Sequence, residues 1–111
     1  MEFSEAAKRA LEFREERSWG QFHNPKDLAI SISLEAAELL EVFQWSGGDV
    51  EAKSKTTRIT EELADVMIYC IYLADRMNIN IADAINSKVL DNACKYPAYK
   101  AKGNSRKYTE L

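Results

Sequence analysis

The chain has 111 residues and a formal net charge of −3. This length predicts one domain, and the net charge argues against a protein that coats DNA or RNA, since such proteins present a clearly basic face. Cys70 and Cys94 are not spaced as metal ligands, and we expect reduced thiols in a cytoplasmic protein. There is no signal-peptide pattern and no apolar run of about 18 residues, so we expect no membrane span.

Apolar residues recur at helical spacing along the chain, and no strand-like alternation is found. The predicted helices cover residues 3–18, 25–45, about 57–77 and 81–95. Asn24 and Asn80 are expected to cap the second and fourth helices, and Thr56 or Thr57 the third. The third helix is apolar over most of its circumference, so we expect it to be central and to face a partner subunit. These patterns predict an all-α, four-helix bundle over residues 1–97 and a basic, flexible tail over residues 98–111.

Two acidic pairs fall within the apolar stripes of the second and third helices. Glu35 and Glu38 are three residues apart, as are Glu62 and Asp65, so each pair projects from one helix face. Glu35 is in register with Leu28, Ile32, Leu39 and Val42, and Glu62 with Ile59, Val66, Tyr69 and Leu73. Moving an unpaired carboxylate out of water costs on the order of several kcal/mol, so this cluster needs basic side chains or a metal ion.

Mg²⁺ takes octahedral oxygen coordination, which carboxylates, waters and substrate phosphates together can supply. A nucleoside triphosphate chelated in this way would be activated for phosphoryl transfer, and a carboxylate, with Glu38 and Glu62 as candidates, would orient or deprotonate the attacking water. A di-iron bundle is a competing interpretation, but that design uses Glu-x-x-His on two helices, and the only histidine here is His23, in a loop. A structural role, with salt bridges to Arg58, Lys88 or another subunit, remains a third interpretation.

An aromatic-rich segment, Trp19–Pro25, separates the first two predicted helices. Such a loop is a candidate base-stacking element, because ligand contacts concentrate on loops held by a rigid scaffold. The alternative is that its aromatic side chains plug the end of the bundle.

The arrangement Glu35-x-x-Glu38, a spacer of 23 residues, then Glu62-x-x-Asp65 resembles the metal-binding signature of the all-α nucleoside triphosphate pyrophosphohydrolases, the MazG-like superfamily. Further stretches resemble its dCTP pyrophosphatase branch: Trp19–His23, Leu39–Trp45, Glu62–Tyr69 and Ser105–Leu111. The resemblance implies Mg²⁺-dependent hydrolysis of a nucleoside triphosphate, dCTP or a modified dCTP foremost, to the monophosphate and pyrophosphate in nucleotide-pool sanitation. The alternative is a non-catalytic bundle that binds nucleotides or another protein.

The resemblance also implies roles for individual residues. The metal ligands would be Glu35, Glu38, Glu62 and Asp65. The base would be held by Trp19, His23 and Trp45, and the sugar and phosphates by Lys88, Asn92 and Tyr96, with the tail residues Arg106 and Lys107 ordered over the phosphates. Relatives in this branch form dimers that pair into tetramers, so a homo-oligomer with active sites at subunit interfaces is expected.

Overall fold

The structure, a computed structural model, describes the whole chain, Met1–Leu111, and contains helices and no strand, which confirms the predicted all-α class. The α-helices are α1 (Phe3–Glu16), α2 (Pro25–Glu41), α3 (Thr56–Arg76), α4 (Ile81–Lys95) and the short α5 (Ala98–Ala101). Single 3₁₀ turns lie at Trp19–Phe22, Lys53–Lys55 and Tyr108–Glu110. The chain forms two compact units, Met1–Asn78 and Ile79–Leu111.

Side-chain caps fix the beginnings of two helices. The Asn24 side chain accepts a hydrogen bond from the Asp27 amide (2.8 Å), and that of Asn80 accepts one from the Asp83 amide (3.1 Å), so both predicted caps are confirmed. The predicted threonine cap of α3 is wrong: Lys55 is the N-cap and makes no side-chain bond, while the Thr56 hydroxyl donates to the Lys53 carbonyl. A threonine inside the helical turn is free to bond to the preceding 3₁₀ turn instead.

Two helices end earlier than the apolar spacing predicts. α1 ends at Glu16 rather than at residue 18, because Ser18 adopts a left-handed conformation (φ 54°). α2 ends at Glu41 rather than at Trp45. Beyond it, the amides of Val42 and Phe43 bond to carbonyls three residues back, a tightening common at helix C-termini.

In the first unit, α3 packs against both α2 and α1, as expected of a central helix. Leu28 and Val42 from the α2 stripe are fully buried, and Tyr72 and Ala74 of α3 are nearly so. Large apolar side chains on α2 and α3 nevertheless remain exposed, namely Ile30, Leu34, Leu40, Leu63 and Met67. In the second unit, no residue of α4 is buried. None of the helices combines the length and the apolar character that crossing a bilayer requires.

Candidate active site

The two acidic pairs converge where α2 packs against α3. Glu35 on α2 and Glu62 and Asp65 on α3 each offer a carboxylate oxygen, and these three oxygens lie within 4.8 Å of one another. The carboxyl group of Glu38, one turn after Glu35, lies close enough to those of Glu35 and Glu62 to raise their pKa values. The structure therefore brings together three of the four acids that the sequence singles out, and Glu38 lies beside them.

This cluster disfavours full ionisation. Burial, followed by the interaction with the nearby Glu38 carboxyl group and the negative charge of neighbouring acids, raises the pKa of Glu35. The same causes raise the pKa of Glu62, against a small opposing effect from Arg58. A cation bound among these acids would offset their mutual repulsion.

The donor set fits a hard divalent cation. One carboxylate oxygen of Glu35 and one of Glu62, the Oε2 atoms, are buried and have no hydrogen-bond partner. A metal ion would satisfy both oxygens. Opposite ligands of Mg²⁺ lie about 4.2 Å apart, twice the usual bond length, so carboxylate oxygens within 4.8 Å of one another need only small side-chain rotations to bind one ion.

The competing interpretations of the acids find little support in this geometry. The side-chain ion pairs of the structure involve none of the four acids. Arg58 influences Glu62 through its charge, yet it is not within ion-pair distance of it. The group of candidate metal ligands contains no histidine, so the Glu-x-x-His pattern of di-iron bundles is also missing.

An aromatic cavity of about 640 Å³ adjoins the acidic cluster within the first unit. Its walls lie on α1, α3 and the Trp19–Phe22 turn, and they include Phe13, Trp19, Tyr69 and Tyr72, with Glu35 and Asp65 also in the lining. Trp19 packs edge-on against Phe13, with 5.6 Å between the ring centroids. The volume is typical of a small-molecule site, and aromatic walls beside carboxylates suit a molecule with a flat ring at one end and a metal-binding group at the other.

His23 lies behind this cavity rather than in its lining. Its ring stacks on Tyr72 (5.3 Å between centroids, 27° between planes), and it borders a separate polar recess of about 600 Å³. The Nδ1 atom is buried without a hydrogen-bond partner. Burial, aided by the positive charge of Arg14, lowers the pKa of His23, so the imidazole is neutral at pH 7.

Trp45 and the Trp19–His23 segment lie beyond opposite ends of α2. This helix has 17 residues and is therefore about 25 Å long. Trp45 is 87% exposed and lines neither of the two cavities described above. Within one chain, the structure does not bring the two predicted tryptophans together.

The remaining predicted substrate ligands belong to the second unit. Lys88 and Asn92 are exposed and four residues apart on α4, so they share one helix face. Tyr96 is half-buried and packs edge-on against Tyr108, with 5.9 Å between ring centroids. The tail residues Arg106 and Lys107 are exposed.

Sequence reasoning placed Tyr69 in the apolar core of α3 and did not consider it as a site residue. Tyr69 follows Asp65 by four residues and therefore shares its helix face, a signal that points to the wall of the acidic site. The buried Arg14 was likewise not predicted to be a site residue. No local pattern reveals it, because its partner Asp75 is 61 residues away in the chain.

Two acidic pairs meeting between helices, beside an aromatic cavity in an all-α fold, define the class of protein. The chain belongs to the MazG-like family, whose pattern matches residues 30–111, a span that contains all four acids. The match begins after Trp19 and His23, so it does not include these two residues.

Individual relatives narrow the class. The chain is 41% identical over 105 residues to human dCTP pyrophosphatase 1 and 37% identical over 105 residues to the mouse protein of that name; each alignment covers 90% of this chain and 62% of the relative. The chain thus spans less than two thirds of the length of these relatives. The crystal structure of a pyrophosphatase from Archaeoglobus fulgidus is similar with a TM-score of 0.78 and 43% identity, covering 85% of this chain and 91% of that one.

Proposed function

We propose that the protein hydrolyses a nucleoside triphosphate, dCTP or a modified dCTP, to the monophosphate and pyrophosphate, with Mg²⁺, in sanitation of the cytoplasmic nucleotide pool. The observation that carries the proposal is the cluster of four carboxylates, two of them with unpartnered buried oxygens, at the edge of an aromatic cavity. The names of the relatives, dCTP pyrophosphatase 1 and pyrophosphatase, support it.

The carboxylates have separable tasks in this reaction. Glu35, Glu62 and Asp65, together with Glu38, would hold Mg²⁺ against the triphosphate. The bound metal would neutralise the negative charge that develops on the phosphates. Glu38 is more exposed than Glu35 and Glu62 and lies near both, so water can reach it beside the metal ligands. Glu38 and Glu62 are the candidates to orient the attacking water and accept its proton.

The base would stack in the aromatic cavity, with Trp19 and Tyr69 on its walls. His23, which stacks on Tyr72, would support that wall as a neutral ring. Trp45 cannot reach this cavity from its own end of α2, so we propose that it comes from a second subunit packed antiparallel. The exposed apolar side chains of α2 and α3 suit such a homo-oligomer, a dimer or a tetramer.

Lys88, Asn92 and Tyr96 would contact the sugar and phosphates, since a lysine supplies a point charge and an asparagine amide both donates and accepts. We propose that residues 1–97 form one four-helix domain and that residues 98–111 form a basic tail. Arg106 and Lys107 of this tail would bind the phosphates of the substrate. The favourable contacts of the basic side chains with the phosphates would offset the conformational entropy that the tail loses when it becomes ordered.

The test is a panel of nucleoside triphosphates incubated with the protein and Mg²⁺, with the products separated by ion-exchange chromatography. We expect dCTP or a 5-modified dCTP to be consumed fastest and to give the monophosphate. Glu61→Gln, which removes an exposed acid next to Glu62, serves as a control with unchanged turnover, and Glu62→Gln should be inactive. Tight nucleotide binding without turnover would favour the non-catalytic binding module instead.

A further inference from the structure

Arg14 is the only charged residue of the chain that is buried, with 8% of its surface exposed. Its Nη2 atom lies 2.7 Å from a carboxylate oxygen of Asp75 on α3 and 2.7 Å from one of Glu15, and its Nε donates to Glu15 at 2.9 Å. The planar guanidinium group can hydrogen-bond to both carboxylates in a fixed geometry, which the ammonium group of a lysine cannot do. Arg14 therefore ties α1 to α3 at a defined distance.

The same guanidinium group holds Tyr72. Its central carbon lies 5.3 Å from the centroid of the Tyr72 ring, within the range of a cation–π contact. The Tyr72 hydroxyl donates to the Ala10 carbonyl at 3.0 Å, and His23 stacks on the ring. Tyr72 in turn packs edge-on against Tyr69, at 5.9 Å between centroids. Arg14 thus supports the two tyrosines that line the aromatic cavity, although it does not line that cavity itself.

Arg14 also lies beneath the turn that carries Trp19. A Cβ atom added to Gly20 would lie 3.7 Å from the Arg14 Nε and 3.6 Å from a Glu15 carboxylate oxygen, so the turn passes near this ion pair with room for about one carbon atom between them. Trp19 precedes this glycine directly, and His23 donates its backbone N–H to the Gly20 carbonyl. The side chains of Arg14 and Glu15 line the same polar recess as Gly20 and Gln21 of this turn.

We propose that Arg14 is a positioning residue for the substrate: it sets the geometry of the Tyr72–Tyr69 wall and of the Trp19 turn, and thereby the fit of the nucleobase. This inference rests on the proposed function. Arg14 lies outside the group of candidate metal ligands. We therefore expect it to affect binding of the base and not the metal site or the hydrolytic step.

Steady-state kinetics with dCTP and Mg²⁺ test the proposal through Arg14→Met, which keeps the length of the stem and removes the charge and hydrogen bonds. Stacking is worth about 1 to 3 kcal/mol per base, so its partial loss should raise KM about five- to twentyfold, with kcat within about twofold of wild type. The Mg²⁺ concentration for half-maximal rate should not change. Lys8→Met, which breaks an exposed pair with Glu12 on the same helix, is the matched control and should leave KM unchanged.

A second variant separates positioning from stability. In Arg14→Met/Asp75→Leu, apolar side chains replace both partners of the ion pair, a change that often preserves stability. We expect the Tm of this variant to be close to that of wild type and its KM still to be raised. If Arg14→Met does not fold, the KM of the double variant tests the proposal by itself. If the double variant has wild-type KM, the pair is only a packing element, and the proposal is overturned.

A spectroscopic measurement makes the result independent of turnover. The protein has a single histidine, so the ring signals of His23 in NMR spectra are unambiguous. Loosening Tyr72 in Arg14→Met should shift them, since they depend on the stacked ring, whereas Lys8→Met should not. If wild type does not hydrolyse dCTP, the proposed function fails while this measurement still decides whether Arg14 positions the wall. Unmoved His23 signals or an unchanged KM in an active Arg14→Met protein would contradict the inference.

Discussion

The substitution Asp65→Asn should stabilise the metal-free protein and abolish its activity. The carboxylate oxygens of Asp65 and Glu35 lie within 4.8 Å of each other. At that distance two unit charges repel by about 1 kcal/mol in bulk water and about 3.5 kcal/mol at an effective dielectric constant of about 20. Asp65 is exposed, so the lower figure applies, and its neutralisation should add about 1 kcal/mol at pH 7. For a domain of this size, Tm should rise by about 4 °C.

The gain in stability that Asp65→Asn brings to the metal-free protein should depend on pH. The pKa values of Glu35 and Glu62 are raised in the folded protein, so their contribution to stability is complete below their unfolded pKa and is lost as the pH rises through the folded pKa. Metal-free wild type should therefore lose stability from about pH 4 upward. The advantage of Asp65→Asn over wild type should be small at pH 4 and should grow with pH, as negative charge develops on Glu35 and Glu62.

Thermal melts in EDTA between pH 4 and pH 8 measure this effect, with Glu61→Gln as a control for an exposed acid on the same helix. Adding Mg²⁺ should raise the Tm of wild type and have much less effect on Asp65→Asn, because a ligand stabilises only the state that binds it. A drop of several degrees for Asp65→Asn in EDTA would refute the reasoning, since it would make Asp65 a stabilising partner rather than one of several repelling charges.

Three further predictions concern the substrate. Trp45→Ala should weaken dCTP binding about ten- to hundredfold, measured by titration calorimetry, and leave metal binding intact. At a dCTP concentration too low for Trp45→Ala alone to turn over measurably, mixing it with inactive Glu38→Gln subunits under exchange conditions should recover part of the activity. No recovery despite proven mixing would indicate a pocket within one chain. Deleting residues 103–111 should raise KM and leave Tm nearly unchanged, and unaltered kinetics would remove the tail from substrate binding.

Helical periodicity was enough to predict the all-α class and the meeting of the acidic pairs. A side chain in register with an apolar stripe must point to the neighbouring helix, so Glu35 and Glu62 had to approach each other once α2 packed on α3. The asparagine caps were equally predictable, because a cap depends on residues within one turn. Trp45 was identified as a candidate site residue only through the resemblance to the family.

Features that depend on contacts distant in the chain were not predictable. The end of α2 depends on turns after Glu41 rather than on its apolar spacing. The position of His23 behind Tyr72 follows from the packing of α1 on α3, and so does the burial of Arg14 against Asp75. A charged residue on an amphipathic helix is ordinarily solvated, so only the tertiary structure shows that this arginine is buried.

The ³¹P NMR spectrum of dCTP during incubation with the protein and Mg²⁺ tests the proposed reaction most directly. We expect the three triphosphate signals to be replaced by those of dCMP and pyrophosphate, with no change in EDTA or with Glu38→Gln. Signals of dCDP and orthophosphate, or an unchanged dCTP spectrum with folded, Mg²⁺-loaded wild-type protein, would contradict it.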